Sequence, residues 1–152
     1  MKRAIPLALL AASVGLVIVV NAAAGPDHHG GRTISVVEHA TTDAVTNGTT
    51  GDDAGNILTF ANDVYDRADA KKVGTDQGSC VRIVVGESWE CSWTTFLPKG
   101  QITVQGPFYD TSDSVLAITG GTGAYRNARG EMELKYHNAA GTKIDFVFHV
   151  IG

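Results

Sequence analysis

Apolar and polar residues alternate over short stretches of this chain, and glycines and polar clusters interrupt the alternation. In the last stretch, Ile144, Phe146, Phe148 and Val150 form one apolar face, while Asp145, Val147 and His149 form the other. A period of two is the signature of half-buried strands. It predicts strands over about 32–40, 56–65, 77–85, 88–97, 100–106, 113–119, 129–137 and 142–151. Residues 41–55 are polar and glycine-rich and read as a loop, and Asp66 to Lys72 allow one helical turn at most. Strands on short links imply an antiparallel, mostly up-and-down order. Eight of them close into a barrel wide enough for side chains or one small ligand. Periodicity alone does not separate a barrel from a sandwich, nor the inner face of a strand from the outer.

The first residues follow a different pattern. Lys2 and Arg3 precede an apolar run from Ala4 to Val20, and Ala22-Ala23-Ala24 supplies small residues for cleavage. This is the layout of a secretory signal peptide over 1–24; the run is somewhat short for a membrane anchor, which needs about 20 apolar residues. Residues 25–31 then form a flexible lead, and 32–152 one domain, secreted or periplasmic. His28 and His29 lie in that lead without the spacing of a metal site. Asn47-Gly48-Thr49 fits the glycosylation pattern, which is informative only in a eukaryotic source.

Composition narrows the function. The formal charge of −4 becomes −6 once Lys2 and Arg3 leave with the signal. An acidic domain has no general attraction for nucleic acid, and no basic amphipathic helix is present to hold a membrane surface. The 18 glycines against 4 prolines suit many tight turns and bends. Gly121-Thr122-Gly123 lacks the third glycine and the strand-to-helix context of a dinucleotide site, and no zinc motif or nucleophile elbow occurs. A small-molecule or protein partner is expected instead.

Two cysteines in an exported chain favour a disulfide. Cys80 to Cys91 reads as strand, turn, strand. With Val85-Gly86 as a two-residue loop, Cys80 faces Cys91; a loop centred on Gly86-Glu87 would leave them diagonal. Trp89, Cys91 and Trp93 share one strand face, which either lines a pocket or packs between subunits.

Several segments keep the order and spacing of a known family. Phe60-Ala61-Asn62-Asp63-Val64-Tyr65-Asp66, Gly78-Ser79-Cys80-Val81, Gln101 to Phe108 and Leu116 to Tyr125 resemble allene oxide cyclase segments, and Gly120 to Gly130 also resembles the dirigent-protein motif. The resemblance covers about 56–152. It implies an all-β, eight-stranded antiparallel barrel of calycin-like shape, commonly trimeric. It also implies an interior pocket for a small hydrophobic ligand, with neither metal nor organic cofactor. Such proteins hold a reactive apolar molecule in one conformation, and the cyclases isomerise theirs by ring closure.

By position, Glu38 matches the glutamate that serves the cyclases as the charged group, and it shares a face with Ile34 and Val36. Asn62 matches an asparagine that helps hold a water near the substrate. Cys80 matches a pocket-lining cysteine, and Phe60, on the face of Asn62, is a further candidate ligand contact. There are departures too. Ala40 stands where the cyclases have a second asparagine, Thr41-Thr42-Asp43-Ala44 lacks their Ser-Pro pair, and Ala124 replaces a dirigent acid, although Arg129 matches a dirigent arginine. The implied water site is therefore incomplete. Were the second face of 142–151 the interior, Asp145 would be an alternative acid. The function expected is cofactor-free cyclisation or isomerisation of a small apolar metabolite; the alternative is a non-catalytic carrier or interaction protein on the same barrel.

Overall fold

The computed structural model describes residues 30–45 and 51–151. The signal peptide expected over 1–24, most of the expected lead and Asn47-Gly48-Thr49 lie outside them. Ten strands follow one another: β1 (Arg32–His39), β2 (Ala44–Val45), β3 (Ile57–Phe60), β4 (Asp63–Asp66), β5 (Lys72–Val84), β6 (Ser88–Leu97), β7 (Gly100–Tyr109), β8 (Ser114–Gly121), β9 (Arg129–Tyr136) and β10 (Lys143–Ile151). A 3-10 turn spans Gly123–Tyr125. Every pairing is antiparallel, from β1 through β10, β9, β8, β7 and β6 to β5; β5 pairs with β4, and β4 with β1, so the sheet closes. β3 and β4 lie end to end along β5 and count as one stave, with the two-residue β2 hung on β3. The result is an eight-stranded barrel. Closure also removes the free edges at which an open sheet would invite pairing.

The strands predicted from alternation lie where expected, with three informative differences. The 56–65 stretch is broken at Ala61-Asn62, because the Ala61 N–H donates to Thr42 Oγ1 (2.8 Å) instead of joining a ladder. The helical turn allowed at 66–72 is a hairpin turn: Asp66 Oδ1 accepts the Ala70 N–H at 2.9 Å, and Asp69 takes a φ of 54°. β5 therefore starts five residues earlier than alternation suggested, at Lys72. β7 runs on through Pro107, whose missing N–H costs little because β8 pairs with β7 only as far as Gln105.

Cys80 stands opposite Cys91 and is bonded to it. The loop that achieves this is neither of the two considered. Val84 pairs with Ser88 and Arg82 with Trp89, so a three-residue loop at 85–87 is offset by a bulge at Ile83, with Gly86 at φ 69°. A bridge closing so short a loop contributes about 2–4 kcal/mol.

Inside and outside now separate. Ile34, Val36 and Glu38 point inward, as do Ile144, Phe146, Phe148 and Val150. The face carrying Asp145 and His149 is external. Trp89, Cys91 and Trp93 are buried in the interior. Gly78 lets Trp93 lie across the neighbouring strand, since a Cβ at Gly78 would fall 2.3 Å from that of Trp93.

Candidate ligand cavity and its carboxyl cluster

The barrel interior is filled at one end and hollow at the other. Tyr125 and Ala128, from the connection between β8 and β9, close the filled end over Ile102, Ile118, Met132 and Phe148. At the opposite end a cavity of about 580 Å³ lies between the turn at Asp110-Thr111, the turn at Asn138–Gly141 and Ala40. Its walls are aromatic: Phe60, Trp93, Phe108, Tyr136 and Phe146, with Leu58, Leu134, Ile144 and the Cys80–Cys91 bridge between them. Trp93 leans on Phe146 (centroids 5.4 Å apart) and meets Phe60 edge-on (6.0 Å), so neighbouring rings fix the wall.

The rim is held by hydrogen bonds. Tyr136 Oη donates to the carbonyls of Tyr109 (3.1 Å) and Asp110 (3.0 Å). Arg82, inward-facing on β5, donates through Nη1 to both carboxylate oxygens of Asp110 (2.9 and 2.7 Å) and through Nε to Asp52 (2.6 Å). Its guanidinium lies over the Trp89 ring, 3.9 Å from the centroid, and Trp89 Nε1 donates to Asp110 Oδ1 (3.1 Å). Arg82 was not singled out from sequence. It turns a buried charge into a clamp between two turns, a use that suits its planar fork.

One wall is chemically distinct. Glu38, at the end of β1, lines the cavity and is only 6% exposed. Asn62, at the break between β3 and β4, does not line the cavity but sits behind it. Its amide donates to Glu38 Oε1 (2.9 Å) and to Asp43 Oδ1 (2.8 Å). Its carbonyl accepts from Thr41 N (3.0 Å), Thr42 N (3.0 Å) and Thr42 Oγ1 (2.9 Å). Both amide protons and the carbonyl of Asn62 are thus used, so it braces two carboxylates at fixed positions. Thr41-Thr42-Asp43, a departure from the family pattern in the sequence, is the other half of this brace.

Asp76 completes the cluster. It faces inward from β5, is 1% exposed, and its Oδ1 accepts the Asn62 backbone N–H at 3.2 Å. No N–H or hydroxyl of the described residues reaches Asp76 Oδ2. Its side chain is near enough to that of Glu38 for the two carboxyl groups to interact, and neighbouring carboxyls resist ionising together. Burial pushes the Glu38 carboxyl up to about 7, against the pull of hydrogen bonds from Asn62 and Asp76. Burial, and next the neighbouring Glu38 charge, push Asp76 up to about 9. The two carboxyls therefore titrate together, both held above the ordinary carboxylate range.

Sequence reasoning missed Asp76, although it shares a strand face with Cys80. β5 was read as starting at residue 77, which left Asp76 in a turn. Of the sequence candidates, Glu38, Phe60 and Cys80 line the cavity, and Asn62 supports it from behind. Asp145, the alternative acid, is excluded from the interior: it lies on the outer face, 2.9 Å from His137 Nδ1. No cluster of metal-binding side chains occurs among the described residues.

A sequence profile of the allene oxide cyclase family matches residues 37–152. Solved structures agree in fold. A pyocyanin demethylase is 26% identical and superposes with a TM-score of 0.64, over 77% of this chain and 100% of that one. A pterocarpan synthase dirigent protein is 21% identical (TM-score 0.62, 80% of this chain and 97% of that one). An exo-specific intermolecular Diels-Alderase is 14% identical (TM-score 0.62, 80% and 98%). The profile match spans most of the chain, taking in the end of β1 that carries Glu38 and all of β2 to β10, and on that ground the chain belongs to the allene oxide cyclase family.

Proposed function

We propose that the protein binds a small, largely apolar molecule in this cavity and guides its cofactor-free cyclisation or isomerisation, with Glu38 as the charged group. The observation that carries this reading is Glu38 itself: a carboxyl on the cavity wall, titrating near neutrality, with a buried proton-holding partner behind it. A base poised near the working pH combines a useful fraction ionised with driving force for proton transfer. As a carboxylate it stabilises positive charge developing on the substrate; as an acid it returns a proton, with Asp76 as the reservoir. The aromatic walls exclude water and hold one folded conformer, which lowers the entropic barrier to ring closure. The neighbouring structures are named for a demethylase, a synthase and a Diels-Alderase, all acting on small organic molecules, which supports an enzyme over a carrier. In the same reading, residues 1–24 direct export and the barrels assemble as trimers.

Native mass spectrometry of the protein from its own host's secreted fraction tests these points together. The expected result is a trimer that begins after Ala24 and carries an apolar small molecule. Incubated with the precursor of that molecule, the native protein should convert it, and Glu38→Gln should still bind it but turn it over about 100-fold more slowly. Release of an unchanged molecule by both proteins would establish the carrier instead.

A further inference from the structure

We infer that the molecule taken by this cavity is a flat, apolar ring system that carries one positive charge, seated with its cationic centre beside Glu38 and Asp43. This rests on the proposed function and adds a charge to the ligand. Three carboxylates line the cavity, Glu38, Asp43 and Asp110, and no lysine, arginine or histidine does so among the described residues. The Asp110 charge is taken up by Arg82 behind it, through both carboxylate oxygens. Among the described residues, Glu38 and Asp43 have no such cation. Their shared donor is the neutral amide of Asn62, which fixes both oxygens in place without cancelling their charge.

The rest of the wall points the same way. Phe60, Trp93 and Phe146 present π-systems, and the faces of such rings attract cations, most strongly where water is excluded. A neutral ligand leaves the Glu38–Asp43 field unused, and an anion is repelled by it. A fully hydrated metal ion or a small ammonium leaves the aromatic walls bare. A protonated amine on an aromatic body, or an alkylated ring nitrogen, uses both. The volume of about 580 Å³ lies in the range of pockets that enclose such molecules.

The groups facing Glu38 set the pH dependence. These are Asp76 from β5, Asn62 at the β3–β4 break and Asp43 from the segment after β1; each is neutral or acidic, so no neighbouring base masks the Glu38 charge. As pH rises through about 7, Glu38 loses its proton and a cation gains a partner.

The test compares three probes of one shape, followed by fluorescence with the purified full chain. They are 10-methylacridinium, a permanent cation; anthracene, which has no titratable group and is neutral at every pH; and anthracene-9-carboxylate, an anion. The cation should bind about tenfold or more tighter than anthracene, and the carboxylate weakest. Between about pH 6 and pH 8 the affinity for methylacridinium should rise, whereas that for the carboxylate should not. Glu38→Gln and Asp43→Asn should each narrow the gap between cation and neutral probe, and anthracene binding by each variant reports a folded cavity. Anthracene or the carboxylate binding as tightly as the cation would overturn this inference and leave the proposed function standing. Failure of all three to bind would overturn both.

Discussion

Phe146 and Phe148 lie two residues apart on the inner face of β10, and their surroundings differ. Phe148 is fully buried opposite Met132 in the filled end of the barrel, while Phe146, also almost without exposure, gives one side of its ring to the cavity. The rings meet edge-on, 6.3 Å between centroids, at the boundary between packed and hollow interior. The hollow is kept open by two features. Its mouth is built of small residues (Ala40, Ala139, Ala140 and Gly141), and its walls are stiff, held by ring-on-ring contacts, a disulfide and the Arg82 clamp. A barrel of this size fills itself unless the sequence spends stability on preventing it.

The largest effect follows directly. Phe148→Ala leaves a void in close-packed surroundings and should cost about 3–5 kcal/mol. Phe60→Ala removes a side chain that already borders empty space, and should cost only about 1–2 kcal/mol while enlarging the cavity. Urea denaturation with unchanged slope reads both. Equal losses would mean that the cavity is a packed region in solution and the contrast between the two ends is false.

How far each end was legible in the sequence differs for physical reasons. The filled end is a matter of alternation, and alternation located all its strands. The disulfide followed from cysteine count and hairpin spacing, although a bulge at Ile83 secures the register that a two-residue loop was expected to supply. Glu38 was legible because it matches the cyclase glutamate by position, and an acid on the face of Ile34 and Val36 conflicts with burial unless it has a use. The rest of the cluster was not. Asp76 depends on a hairpin whose turn is set by the Asp66 side chain, and Asp43 lies in a segment with no periodicity to read. Inside and outside could not be told apart by parity, since both faces of β10 carry apolar residues.

The carboxyl pair gives the middle-sized effect, with an unusual sign. Carboxylates in folded proteins commonly titrate below their unfolded values and stabilise at neutral pH; Glu38 and Asp76 titrate above theirs. From about pH 4 upward the unfolded chain therefore binds fewer protons at these two sites than the folded one. Their contribution is fully present below the unfolded values and is lost as pH rises through about 7 and on toward about 9. Asp76→Asn keeps the shape and a donor toward Glu38 but removes one charge. Relative to the native protein it should be near neutral at about pH 5 and more stable by roughly 1–3 kcal/mol at about pH 8. A stability difference that does not change with pH would show that the two carboxyls do not titrate together. The comparison thus sharpens: the hollow end is costly both in lost packing and in buried charge, and both costs fall where Glu38 meets the cavity.

The smallest effect tests the assignment of faces. Asp145 is one residue from Ile144, which lines the cavity, and a shift of one residue in β10 would exchange them. In the observed register Asp145 pairs across the outer surface with His137, both about one-third exposed. Exposed pairs of this kind contribute little, so Asp145→Asn should change stability by less than about 0.5 kcal/mol and leave probe binding in the cavity untouched. Glu38→Gln, a change of the same chemical size six residues along the inner face from Arg32, should alter the selectivity for charged probes. The contrast between these two variants depends on nothing except which side of the sheet each carboxyl occupies. If Asp145→Asn abolished binding and Glu38→Gln did not, the inner and outer faces of β1 and β10 would have to be exchanged, and with them the identity of the cavity wall.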